Sequence, residues 1–329
     1  LFEIIVKRCL TAIPLLVLLT LLTFALLRAL PGDPIDVLMG SAEKDLTSEQ
    51  KQAMRKELGL DKSWPQQYVC WLKAIAQGNF GRSYRDGRPV LELIEERLPA
   101  TLNLVGAALL LTIIVGTLWG LLMVCLSVRN SSFANLLMAL AYALYSTPSF
   151  WLAFLLIALV ERLNIPNVQL LGLHAPGQSG INFASLWLPA TVLASRRAAK
   201  LSLLLCSSML SEMSKDYVVT ARMKGLSKLA TLAKHVSKNS LVPAINLIGL
   251  SIPVLIGGSV LVETVFAWPG MGRLAVDATF GRNYPVLLSL AVIYGTLVII
   301  ANLAADLAQL IIDPRIKDQN NVVANLGHG

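Results

Sequence analysis

The chain has 329 residues, 55% of them hydrophobic and 15% charged, with a mean hydropathy of +0.64 and a formal net charge of +8. So little charge excludes an ordinary soluble domain of this length. The basic excess lies in short segments beside apolar blocks, as topology determinants do, and not as a nucleic-acid surface.

Six apolar blocks are long enough to cross about 30 Å of hydrocarbon. They run approximately over 9–28, 101–128, 134–160, 186–209, 241–266 and 286–312. Lys7 and Arg8 precede the first, and no A-x-A-like cleavage site follows it, which predicts a retained anchor. The segment 29–100 holds ten basic and eleven acidic residues, whereas 208–240 holds six basic and two acidic, a net +4. The positive-inside rule therefore predicts six membrane helices with both termini and the 208–240 loop in the cytoplasm.

The first outer loop reads as helical. Thr47-Ser48-Glu49-Gln50 has the form of a capping box for a helix that Gly59 ends. Ser63-Trp64-Pro65-Gln66 repeats the form, with Gly78 as the stop. Asp86-Gly87 predicts a turn, and Pro89 a third short helix with Val90, Leu91, Ile94 and Leu98 on its apolar face. Trp64, Tyr68, Trp71, Phe80 and Tyr84 suit a membrane–water interface. A packed cap and a docking surface explain this loop equally well.

The fourth block carries Arg196, Arg197 and Lys200, roughly 15–22 Å in from Leu186 at 1.5 Å per residue. Cations at that depth are costly and point to a role within the membrane. The alternative is a shifted span whose cations snorkel to the cytoplasmic surface. In the fifth block, Pro253, Gly257 and Gly258 suit either close helix packing or the border of a pathway.

Between these blocks, Asp216 to Arg222 predicts a short amphipathic helix that Gly225 terminates in a left-handed conformation. Ser227 can cap a second helix, with Leu229, Leu232 and Val236 on one side and Lys228, Lys234 and Lys238 on the other. Such a basic elbow fits either a soluble partner or the surface of an anionic membrane. No phosphate-binding G-x-x-x-x-G-K-[ST] loop and no catalytic constellation is present, so no catalytic residue is assigned and ATP hydrolysis by this chain is excluded. Cys9, Cys70, Cys125 and Cys206 form no C-x-x-C pair, and His174, His235 and His328 lie far apart, so neither a metal site nor a cofactor is expected.

Tyr217-Val218-x-x-Ala221-Arg222-x-Lys224-Gly225, with His235 and Asn239-x-x-x-Pro243, resembles the cytoplasmic coupling loop of binding-protein-dependent ABC importer permeases, in the form of the peptide/nickel branch. The similarity spans the chain. It takes in Pro31-Gly32-Asp33-Pro34, Phe80-Gly81-Arg82-Ser83-Tyr84, Leu98-Pro99-Ala100-Thr101-Leu102, Pro148-Ser149-Phe150-Trp151, Glu263-Thr264-Val265-Phe266-Ala267-Trp268-Pro269-Gly270 and Asp313-Pro314-Arg315. Within the branch the chain looks nearest to the nickel permeases. Two departures stand out. Val219 occupies the glutamate position of the wider loop pattern, and Leu203 and Cys206 stand where relatives carry arginines.

The resemblance implies an all-α, six-helix type I importer permease. Its parts would be an N-terminal peripheral helix (1–30), a periplasmic helical loop (31–99), a five-helix core (100–318) holding the coupling loop 210–240, and a tail (319–329). Implied partners are a second homologous permease, two cytoplasmic ATP-binding subunits, a periplasmic or lipid-anchored substrate-binding protein, and membrane lipid. The implied cargo is nickel, as a chelate, with short peptides as the alternative. Tyr217, Ala221, Arg222, Lys224, Gly225 and His235 would couple to the ATPase, and Arg196, Arg197, Lys200, Pro253, Gly257 and Gly258 are candidates for the pathway. A channel or a membrane enzyme would be the rivals from other classes, and neither a selectivity filter nor clustered catalytic residues is evident.

Overall fold

The computed structural model describes residues 2–29, 35, 48–57, 61–129, 132–164 and 183–312. Among them the chain is helical, and its one extended pairing is an isolated bridge between Arg82 and Pro89. The long helices are α1 (Phe2–Ala29), α4 (Val90–Val128), α7 (Phe183–Glu212), α10 (Ser237–Val265) and α12 (Tyr284–Ile312). The shorter ones are α2 (Ser48–Glu57), α3 (Trp64–Ala76), α5 (Ser132–Ser146), α6 (Ser149–Arg162), α8 (Asp216–Met223), α9 (Lys228–Thr231) and α11 (Met271–Phe280). A π-turn, Leu232–Val236, joins α9 to α10.

Four helices, α1, α4, α10 and α12, contain segments long and apolar enough to cross a membrane. The third apolar block is not one straight helix. It breaks into α5 and α6, bent by 109°. Pro148 explains the break, because it has no N–H to continue the ladder and disfavours helical geometry at Thr147. The fourth block, α7, has 30 residues, about 45 Å at 1.5 Å per residue, but its middle holds three cations.

The expected third short helix of the outer loop is instead the first part of α4, which continues through Pro99 into the second apolar block. Pro99 and Glu95, whose carbonyl the proline cannot bond, are both exposed. The buried positions there are Val90, Leu93 and Ile94, and Leu91 faces outward. α3 begins as its sequence predicts: the Ser63 amide donates to Gln66 Oε1 (3.4 Å) and Pro65 sits in the first turn. The proposed caps of α2, Thr47 and Gly59, lie outside the described residues.

The chain divides into two compact units. One comprises Leu102–Trp268 with the chain from Ile300, and the other Phe2–Thr101 with Pro269–Ile299. In the first, α7 is central and packs against α5, α6 and α10. Its buried face includes four alanines, Ala190, Ala194, Ala198 and Ala199. Opposite, a Cβ at Gly116 or Gly120 of α4 would stand 2.9 Å from the Ala198 carbonyl and 3.0 Å from the Ser202 carbonyl. Only glycine permits backbones to meet so closely, which is how membrane helices associate where no hydrophobic drive separates helix from lipid.

In the second unit, Val90, Leu93 and Ile94 pack with Met271, Ala278, Val286 and Leu290. Most of the outer aromatics are turned inward. Tyr68 packs edge-on against Phe24 (5.5 Å between centroids) and shares a hydrogen bond with Thr20 (2.9 Å), while Trp64 is exposed. Asn283 donates to Ser83 Oγ (2.8 Å) and accepts from the Tyr84 amide (3.1 Å), and the Met271 amide donates to Thr101 Oγ1 (2.8 Å). Several of the motifs that carry the family resemblance are thus packing devices. The loop reads as a packed cap, with Tyr68, Ser83 and Asn283 hydrogen-bonded within the unit.

Candidate functional site

Two regions of the first unit gather the residues singled out in the sequence. The first is the elbow that leads from α7 through α8 and α9 into α10. α8 ends at Met223, and Gly225 follows at φ +89°, the left-handed conformation that stops the helix. The Gly225 amide donates to the Arg222 carbonyl (2.9 Å) and the Leu226 amide to the Ala221 carbonyl (3.4 Å). Ser227 then starts α9: its hydroxyl accepts from the Ala230 amide at 3.2 Å, as an N-cap does.

The elbow's inner face is apolar. Val218 (0% exposed), Leu232 and Val236 join Met123, Leu201, Leu205 and Met209 in one core. Ala221 is also buried. The outer face carries Arg222, Lys224 and Lys234, with Val219 and Met223 (82% exposed) among them. An exposed apolar pair rimmed by cations has the composition of a docking face. His235 lies on the π-turn, and its side chain is outside the described residues, as are those of Lys228, Leu229 and Lys238.

Tyr217, which is exposed, also ties elements together. Its hydroxyl donates to Glu212 Oε2 (2.6 Å) and accepts from Asn239 Nδ2 (3.3 Å), while Lys215 pairs with the same carboxylate. The end of α7, the start of α8 and the start of α10 are therefore held by one polar knot. Lys215 first, then Tyr217, holds the Glu212 carboxyl below its ordinary range by hydrogen bonding, and the Lys215 ammonium is correspondingly raised. In the sequence Glu212 counts only as one acid within a basic loop. Its place three residues before a lysine and five before a tyrosine is the signal that could have found it.

The second region is the middle of α7. A cavity of about 150 Å³ is lined by Arg196, Arg197, Lys200, Tyr145, Ser149 and Gly258, among others. Arg196 Nε donates to the Tyr145 carbonyl (3.1 Å), and its guanidinium lies 5.8 Å from that ring's centroid. Arg196 thus reaches the end of a neighbouring helix, α5. Pro253 and Gly257 do not line this cavity, and Gly258 does.

Comparison with known proteins supplies the family. Residues 87–318 match the family described as binding-protein-dependent transport system inner membrane component, and residues 1–105 match that family's N-terminal region. The oligopeptide transport system permease AppB of Bacillus subtilis (strain 168) is 36% identical over 95% of this chain and 98% of its own. The dipeptide transport system permease DppB of Haemophilus influenzae (strain ATCC 51907 / DSM 11121 / KW20 / Rd) is 35% identical over 96% and 99%. A putative peptide permease of Brucella ovis (strain ATCC 25840 / 63/290 / NCTC 10512) is 38% identical over 94% and 97%. Among solved structures, a chain of the inward-facing MetNI methionine ABC transporter superposes with a TM-score of 0.56 at 17% identity, covering 68% of this chain and 97% of that one, a likeness of fold. An elbow built around Gly225, an all-helical apolar chain and end-to-end similarity to permeases agree: this chain belongs to the binding-protein-dependent transport system inner membrane components, as the permease subunit of an ABC importer whose ATPase is a separate subunit.

Proposed function

We propose that this permease imports short peptides. The observation that carries the reading is the agreement of relatives similar over nearly the whole chain, which are named for oligopeptides, dipeptides or peptides. None of these names supports the nickel preference drawn from the motifs, and the peptide alternative takes its place. A cation-lined cavity in α7 is chemically suited to cargo that ends in a carboxylate.

In this reading the chain pairs with a second, homologous permease, and two ATPases dock on the elbow within 210–240. Val219, Arg222, Met223 and Lys224 supply the outer face, and Ala221 and Gly225 set its shape. A periplasmic or lipid-anchored binding protein delivers the cargo. Closure of the ATPases shifts the elbow, and the knot of Glu212, Tyr217 and Asn239 passes that shift to α7 and α10, opening the pathway by alternating access. Both termini lie in the cytoplasm, as the basic 208–240 loop supports. A membrane-impermeant thiol reagent applied to spheroplasts is then expected to reach Cys70, which is exposed, and not a cysteine placed at Ser214. Labelling of Ser214→Cys from outside would reverse the orientation.

The deciding assay reconstitutes the whole complex in proteoliposomes with its binding protein loaded with peptide or with a nickel chelate. Peptide is expected to stimulate both ATPase and uptake. Stimulation by the nickel chelate alone would sink the peptide reading.

A further inference from the structure

The three cations of α7 do not share one task. At the α5–α6 break the last carbonyls of α5 lose their helical partners and carry the negative end of that helix's dipole. Arg196 answers them: its Nε donates to the Tyr145 carbonyl (3.1 Å), one residue before α5 ends. The same guanidinium lies over the Tyr145 ring, which adds a cation–π contact. Arg196 is therefore spent on capping a broken helix.

Arg197 and Lys200 have no such partner. Both line the cavity, and among the described residues neither meets a carboxylate, nor does any Asp or Glu line that space. They stand 14 and 17 residues past Phe183 in a 30-residue helix, about 21 and 26 Å from its start at 1.5 Å per residue. Two cations midway along such a helix, with no carboxylate lining the cavity to neutralise them, raise a positive potential there. Ser149, the first residue of α6, lines the same cavity, and Pro148 before it offers no side-chain cap, so the start of that helix adds to the field. The remaining wall is apolar, with Leu193, Val254 and Leu255.

We propose that this cavity is a carboxylate-binding site in the pathway, in which Arg197 and Lys200 receive the C-terminal carboxylate of a peptide in transit. The proposal deepens the peptide-import reading and rests on it for the source of the carboxylate. Two cations and an apolar wall suit a transient station. They compensate the charge of the cargo at the depth where it is most costly, while the apolar side accepts a peptide side chain of any kind.

The test replaces the four native cysteines, places one cysteine at Ser149, and assembles the full complex in phosphatidylcholine nanodiscs. Labelling rates of a sulfonate-bearing and a trimethylammonium-bearing methanethiosulfonate are compared, each divided by that reagent's rate with a small free thiol in solution. The anionic reagent is expected to react about tenfold faster or more, the range that focused charge produces. In the Arg197→Gln/Lys200→Gln chain the two rates are expected to agree within about twofold, and Lys200→Arg to keep the preference. Equal rates before substitution, or an unchanged preference after it, overturn the site. Added dipeptide is expected to slow labelling, and the same dipeptide as its C-terminal amide is not. Equal protection by both overturns the assignment to a carboxylate. Protection by phosphatidylglycerol in the absence of peptide overturns the peptide as the source and assigns the site to a lipid headgroup. A retained anionic preference in a complex that moves no peptide would leave the site standing and remove only the cargo reading.

Discussion

The elbow and the middle of α7 both gather polar side chains, but they find their partners at different distances along the chain. In the elbow, Glu212 meets Lys215 and Tyr217, Ser227 meets Ala230, and Gly225 meets Arg222. Every one of these lies within five residues, and Asn239, reaching back to Tyr217, is the longest link at 22. In α7, Arg196 meets Tyr145, 51 residues earlier and on another helix. A short polar segment at an aqueous surface can satisfy itself locally. A cation in the middle of a long apolar helix has no local acceptor, since its own helix has used its carbonyls, and can find one only on a neighbour, as Arg196 does.

The contrast can be broken at the contact that holds α7 in place. Gly116→Leu would drive a side chain into the Ala198 carbonyl and Leu201, and overpacking of this kind costs about 1–3 kcal/mol or more. The expected result is a large loss of monodisperse protein on size exclusion and a lower Tm, with Gly106→Leu as a control because open space surrounds it. Normal yield from Gly116→Leu would show that α4 and α7 do not meet as described.

Arg196→Gln comes next. Losing this exposed, charge-assisted hydrogen bond costs about 0.5–1.5 kcal/mol, so a modestly lower Tm is expected. Lys200→Gln removes no hydrogen bond seen among the described residues and is expected to change stability by less than about 0.5 kcal/mol, leaving Tm close to that of the parent. Equal losses in the two variants would remove the distinction between a cap and a free cation.

In the elbow, Gly225→Val forces a β-branched residue into positive φ, at about 1–3 kcal/mol, with no side-chain clash because open space surrounds the site. The expected outcome is an intact membrane core, weak co-purification with the ATPase and little transport. Tyr217→Phe is milder. It removes the hydrogen bonds to Glu212 and from Asn239, about 0.5–1.5 kcal/mol each, and is expected to uncouple ATPase activity partially from uptake without loss of assembly.

The smallest effect concerns pH. Glu212 is held low, so its contribution is present above the ordinary carboxylate range and is lost only as pH falls through its lowered value. Lys215 is raised, so its share is complete below the ordinary lysine range and is lost only on going above its folded value. Coupling is therefore expected to be flat from about pH 6 to 8. A titration inside that window that Glu212→Gln abolishes would place the knot elsewhere.

Much of the elbow is legible in its residues. Helical periodicity, caps and charge are local, so α3, the stop at Gly225 and the cap at Ser227 appear where the residues dictate. The elbow's inner face at Val218, Leu232 and Val236 follows from spacing. Glu212 does not, because a carboxylate near a lysine reads as a solvated pair until a tyrosine is seen to close the knot.

By itself the sequence determined a helical membrane protein, its six apolar blocks and its basic elbow, because length, hydropathy and turn chemistry act over a few residues, while the permease family came from the resemblance of its motifs. Tertiary structure alone decided that the third block breaks by 109°, that α4 runs unbroken through Pro99, and that Arg196 differs in kind from Arg197 and Lys200. Neighbouring cations on one helix look alike in a sequence. What separates them is which has a helix end within reach, and that depends on packing between segments some fifty residues apart.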